Sequence, residues 1–344
     1  MAREMGYRRR LCQIQTVMGA YYGLADEDFP KAFEALDEAL CIAGEEKDFI
    51  TLVVTSVWLG YLHASDCDFD KATISFQRAL DINTAAKSLW GIALAKAQLA
   101  YFCHWWSGKI NTFTQLSSEA LRIAQGSGDP ISKGVSHAAY GMACYAKGYL
   151  GDAEKHSVEG RDLLMRIGMH GWTGITCICL AQTYFEMKAY HKARECYDQA
   201  SRDMQAGQQS SSWERWTQLG IARCDIMLGE RDLDLESLRS IHERNRAKAS
   251  EGWVCKDTGE ILMNLGGSHI VEAEQWIRKA VEADVRNGMR HNLGLDHALY
   301  GEFFKRQSDR TRAQEELGKA VEVLRECGAD GWVEKYEKEL AALS

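Results

Sequence analysis

The stretches DFPKAFEALDEAL (28–40) and DFDKATISFQRAL (68–80) both open with Asp-Phe-x-Lys-Ala and close with Ala-Leu, 40 residues apart. The chain repeats this spacing. Ala32, Ala72, Ala153, Ala193, Ala273 and Ala313 follow one another at intervals of 40, 81, 40, 80 and 40 residues. Seven residues later runs a second column: Ala39, Ala79, Ala120, Gly160, Ala200, Ser240, Ala280 and Ala320. A third lies twelve residues before the first: Ala20, Gly60, Ala100, Gly141, Ala181 and Gly301. Small side chains at fixed places on two successive helices let the backbones approach closely, as a packed helical hairpin requires.

Between the columns, apolar and small residues recur at steps of three and four, as in DAEKHSVEGRDLLMRIG (152–168), which is the helical period. Two prolines in 344 residues fit a nearly all-helical chain, since proline is excluded from helix interiors. Glycine-containing breaks such as QGSGD, RIGMHG and ECGADG punctuate it. A 40-residue unit with two short turns leaves two helices of roughly 16 residues, each roughly 24 Å long. The spacing alone fits several helical repeats. The columns decide among them.

Leu59, Gly60, Ala72, Phe76 and Ala79 fall in the places of the tetratricopeptide (TPR) signature. So do Leu180, Ala181, Tyr184, Ala193, Tyr197 and Ala200, and again Tyr300, Gly301, Phe304, Ala313, Leu317 and Ala320. The chain therefore resembles a TPR protein of the long-repeat type, without the family's closing proline. The resemblance implies an all-α, right-handed solenoid of about eight hairpins over residues 1–330, closed by a capping helix over 331–344. In that last segment Trp332, Tyr336, Leu340 and Leu343 share one stripe, as a terminal cap needs. The first helix has no such cap, so the reading expects an excised fragment with further protein upstream. The closing stretch AVEVLRECGADGWVEKYEKELAAL (320–343) resembles the end of the TPR arms of large bacterial signalling ATPases. That likeness implies a cytoplasmic sensor or scaffold arm. Two units depart from register: the third gains a residue between Ala100 and Ala120, and the sixth carries Leu233 where the first column has alanine.

A net charge of −8 argues against nucleic acid as a partner. No apolar run is long enough for a membrane span. Eleven cysteines without a Cys-x-x-Cys or a signal peptide read as small buried hydrophobes in a reducing cytoplasm. No phosphate loop, His-Glu-x-x-His or nucleophile elbow is present, so no cofactor, metal or catalytic residue is assigned. His63, Cys103 and Cys144 hold equivalent places in successive repeats, too far apart to converge on one ion, and read as core.

In TPR-like arrays the residue after the small Gly/Ala of the first helix faces the concave side. Here that selects Tyr21, Tyr61, Tyr101, Met142 and Gln182, and one turn further on Leu24, Ala64, His104, Tyr145 and Phe185. Val17, Val57, Tyr21 and Tyr61 stand where chaperone-binding TPR domains clamp a carboxylate, so that mode is not expected. Trp90, Trp172, Trp213, Trp253 and Trp332 form a column that reads as gap-filling, with Trp105 and Trp106 outside it as contact candidates. Three functional classes stay open: a non-catalytic scaffold that binds a protein or peptide in the groove, a small-molecule sensor controlling an upstream ATPase or cyclase, and a cryptic enzyme. The alternative for the groove is a tight superhelix in which these rings pack on one another.

Overall fold

The computed structural model describes residues 7–207 and 211–343, and among them the chain is helical with no strand. The expected closing segment runs to Ser344, which lies outside the described residues. Sixteen helices pair as eight successive hairpins. The first four are α1 (Arg8–Tyr21) with α2 (Phe29–Glu45), α3 (Phe49–Ser65) with α4 (Phe69–Ala85), α5 (Leu89–Leu99) with α6 (Ile110–Ser127), and α7 (Pro130–Lys147) with α8 (Leu150–Arg166). The next four are α9 (His170–Glu186) with α10 (Tyr190–Ala206), α11 (Ser211–Met227) with α12 (Leu235–Arg244), α13 (Glu251–Leu265) with α14 (Ile270–Asn287), and α15 (Arg290–Arg306) with α16 (Arg310–Cys327). A further helix, α17 (Asp330–Ala342), packs on α16. The fold is an all-α solenoid.

The 40-residue unit is two half-units of about 20. A left-handed residue closes most of them: Glu27, Lys47, Cys67, Lys87, Gly108, Gly128, Gly148, Gly168, Lys188, Gly288, Ser308 and Gly328 all have positive φ. Aspartate then restarts the helix. Asp28, Asp48, Asp68, Asp129, Asp234 and Asp309 each accept a backbone N–H from the third residue beyond, satisfying a donor that the first turn leaves free. Asp28 and Asp68, which open the two repeated stretches, are caps of this kind.

The small columns are the helix contacts. Ala32, Ala72, Ala79, Ala120, Ala153, Ala193, Ala200, Ala273, Ala280, Ala313 and Ala320 are fully buried. A Cβ added at Gly60 would lie 2.7 Å from the Phe76 ring, and one at Gly141 would lie 2.4 Å from Ser157 Oγ. These helices cross at a distance only glycine allows.

Both irregular units have a structural consequence. In the second unit Asp68 N–H donates to His63 O; in the third, Lys109 N–H donates to His104 O at 2.8 Å, one residue late. The extra residue is taken up as a π-helical turn over Ala100–Trp105. In the sixth unit α12 is only 10 residues long, where the other second helices have 17 or 18. Beyond it Asn245 is extended, and residues 245–250 cross towards the second hairpin.

Candidate functional site

The solenoid winds so tightly that its later units reach back across the concave side to the earlier ones. Glu27, at the end of hairpin one, is buried and accepts the Ser212 N–H at 2.7 Å and an ion pair from Arg215. Tyr61 OH receives the indole N–H of Trp213 at 3.0 Å. Lys248, in the crossing segment after the short α12, pairs with Asp66 at 2.7 Å. At the other end, three successive residues near the end of α7 take partners from the last units. Tyr145 O accepts Trp332 Nε1–H at 2.8 Å, Ala146 O pairs with His291 Nε2 at 3.0 Å, and Lys147 meets Asp330 at 2.7 Å. Two glycines make that approach possible: a Cβ on Gly148, at φ 86°, would sit 2.6 Å from Trp332 N, and one on Gly331 would sit 2.8 Å from Lys147 O.

An aromatic cluster fills the centre of the closed array. Trp253 stacks on Trp216 at 4.3 Å between centroids and on Trp105 at 5.7 Å. Trp106 approaches Trp213 at 6.4 Å, and Tyr101 meets Trp105 at 5.1 Å and Trp172 at 5.8 Å. Rings from units three, five, six and seven thus share one cluster, assembled across the superhelix.

Two chambers open on the inner side of the array. The larger, ≈ 440 Å³, is walled by Trp58, Tyr61, Phe76 and Phe102 on one side and by Met169, Trp172, Ile175 and Trp213 on the other. Its few polar groups are Gln98 and His170, the latter held by Asp203 at 2.8 Å. The smaller, ≈ 180 Å³, is lined by charged groups from hairpins five to eight and α17. There Arg223 lies over the Phe185 ring at 4.1 Å and pairs with Asp257 at 3.2 Å and Glu260 at 2.6 Å, while Lys335 pairs with Glu186 at 3.1 Å. Elsewhere, two buried carboxyls, Asp284 and Asp296, face each other. Burial pushes Asp296 up to about 7, and burial together with its neighbour pushes Asp284 well above the carboxylate range.

The candidate groove residues do not form one open face. Tyr21 stays on the surface, 47% exposed, while Tyr101, Trp105, Trp106, Met142, Tyr145, Gln182 and Phe185 are buried. Trp105 and Trp106, expected at a contact edge, lie inside the central cluster, and neither indole N–H has a hydrogen-bond partner. The physical reason is the π-helical turn, which puts both rings where the sixth and seventh units come across. His104 is half-buried, and burial lowers its pKa to about 4, so it stays neutral at physiological pH. Of the groove candidates, Leu24 and Tyr61 line the larger chamber. The alternative of a closed superhelix with mutually packed rings describes the centre of the molecule.

The far wall was not singled out from the sequence. Trp172 and Trp213 stand in the tryptophan column, whose spacing suits gap-filling, and Gly168 to Gly171 belong to a glycine-containing break between helices. Their convergence on the near wall depends on contacts between residues far apart in sequence, such as Phe102 with Trp172 and Tyr61 with Trp213.

No family model matches the chain, and no curated protein matches it in sequence. Solved structures match it in fold. The apo form of RapI aligns over 93% of this chain and 85% of its own, at 11% identity and a TM-score of 0.54. A Rap protein complexed with competence and sporulation factor aligns over 97% and 99%, at 12% identity and 0.54. Aspartyl phosphate phosphatase F from Bacillus subtilis aligns over 84% and 75%, at 11% identity and 0.53. With the repeat columns now placed at helix contacts, the chain has a TPR-type helical-repeat fold.

Proposed function

We propose that this chain is a regulatory binding module rather than a catalyst, and that its larger chamber takes an apolar segment of a protein or peptide partner. The observation that carries the reading is the chamber's wall. Trp58, Tyr61, Phe102, Trp172 and Trp213 present rings to one space of ≈ 440 Å³. Rings give large contact area with few rotamers to freeze, and a volume of this order is typical of ligand sites. The fold supports the reading, since a solved neighbour that spans nearly the whole chain is complexed with competence and sporulation factor. The closing-stretch likeness to signalling-ATPase arms would place such a module in a cytoplasmic relay.

A second reading, a small-molecule sensor, draws on a different observation. The chamber's two walls come from hairpins one to three and from hairpins five and six, so an occupant would tie two turns of the superhelix together. A bound metabolite would then stabilise the closed state.

Both readings are tested by screening apolar and aromatic peptides and a metabolite panel by thermal shift and tryptophan fluorescence, since Trp58, Trp172 and Trp213 would report occupancy directly. Val57, half-buried on the near wall, is the position to block. Val57→Trp should fill the chamber, leave far-UV helicity intact and abolish binding. A ligand that binds Val57→Trp as tightly as the parent places the site elsewhere. The class of compound that binds decides between partner and metabolite.

A further inference from the structure

Outside the concave chambers, hairpin four brings His137 of α7 against His156 and Glu159 of α8. His137 Nδ1 lies 3.2 Å from His156 Nδ1 and 3.1 Å from Glu159 Oε2. One donor atom from each of the three residues lies within 4.8 Å of the others. We infer that these three side chains are a binding site for a divalent transition-metal ion of the zinc type, with water completing the coordination.

The close approach of the helices creates the cluster. Gly160, a member of the second small column, sits where a Cβ would lie 2.9 Å from Ala138 N and 3.3 Å from His137 Cβ. Glu159 is its neighbour in sequence and His156 lies one turn before it, so close packing at Gly160 delivers both to His137.

Geometry and donor chemistry agree. Zinc bonds of about 2.0–2.2 Å at tetrahedral angles put neighbouring donor atoms roughly 3.3–3.6 Å apart. The two closest separations here are within a few tenths of an ångström of that, before any adjustment to an ion. A hydrogen-bonded account is less complete. A proton on His137 Nδ1 can point at one of its two partners, whereas a cation at the centre engages all three lone pairs. A neutral imidazole keeps one nitrogen unprotonated and able to ligate, and Nδ1 of each ring is the atom turned into the cluster. Two imidazoles and one carboxylate suit zinc, cobalt, nickel or copper, and not magnesium or calcium, which take oxygen donors. Glu159 is 49% exposed and leaves that side open to water. Lys155 on α8 works against a cation here, and Glu159 and Asp152 offset it. An ion so held would pin α7 to α8 in the same hairpin whose last α7 residues receive Trp332, His291 and Asp330.

The test uses the full chain stripped with chelator, titrated with ZnCl₂ by calorimetry and with CoCl₂ by visible absorption. The expected result is one equivalent bound, with the d–d bands of a tetrahedral or five-coordinate nitrogen–oxygen site. His156→Gln and, separately, Glu159→Gln should each weaken binding by more than about 100-fold, beyond the roughly 10–100-fold typical of losing an outer-shell partner. Glu159 is half-exposed, so its variant keeps the test valid if His156→Gln folds poorly. Three results overturn the assignment: no saturable one-to-one binding, parental affinity in both variants, or a cobalt–thiolate charge-transfer band marking one of the eleven cysteines as ligand.

Discussion

Replacing Trp332 by alanine should open the seam between the last units and hairpin four. The indole is 2% exposed. It donates to Tyr145 O at 2.8 Å, meets the Tyr145 ring edge-on at 5.6 Å, stacks on Tyr336 at 6.1 Å and carries Lys335 Nζ 4.8 Å above it. Truncating a buried tryptophan costs about 3–5 kcal/mol, from lost transfer energy and the cavity left behind. The hydrogen bond is a small part of this. Tyr145 O also accepts the Gly148 N–H at 2.8 Å, so it is not orphaned when the indole goes. Trp332→Phe, which keeps a ring, should therefore lose only about 1 kcal/mol. A repeat array need not unfold in one step, so urea midpoints should be paired with a local measurement. Hydrogen exchange is suited to it: alanine should deprotect α17 and the end of α7, whose Tyr145 is 187 residues away in sequence, and leave α1–α4 unchanged. An alanine variant within about 0.5 kcal/mol of the parent, the range of an ordinary surface change, with unaltered exchange in α7, would refute the seam.

Ala79 and Ala280 are fully buried at helix contacts, so enlarging either to leucine should overpack the contact and cost roughly 1–3 kcal/mol, read as a lowered melting temperature. Parental melting in both would mean the columns are not packing positions. The Asp284–Asp296 pair predicts a pH effect. Asp296 holds its proton to about 7 when folded, against about 3.9 unfolded, so its contribution is present below pH 4 and lost as pH rises through about 7. Asp296→Asn should therefore gain stability relative to the parent between pH 5 and pH 8, measured as the difference in urea midpoint. An equal difference at both pH values rules the pair out as the cause. His104 and His291, both lowered by burial to about 4, act in the opposite direction as pH falls from about 6.5, and the comparison between variant and parent cancels them.

The repeat was legible because it is written locally. Each hairpin needs small residues where its helices cross, a left-handed residue or glycine where it turns, and a polar cap where it restarts, and these recur every 20 or 40 residues whatever lies elsewhere. Asp28 and Asp68, Ala32 and Ala72, and Gly60 and Gly141 can each be assigned from a window of one unit. The odd residue near Ala100 was visible for the same reason. Its form as a π-helical turn was not.

Closure of the array was beyond that kind of reading. Whether Trp105 faces solvent or Trp253 depends on small rotations between neighbouring hairpins, summed over four units, and on α12 being short enough for residues 245–250 to cross to Asp66. No single window encodes that sum. The His137–His156–Glu159 cluster was hidden on a smaller scale: His156 and Glu159 share a helix face by their spacing, but only the packing of α7 against α8 at Gly160 brings His137 to them. Periodicity assigns a residue to a face of a helix, and the angles between helices decide what that face meets.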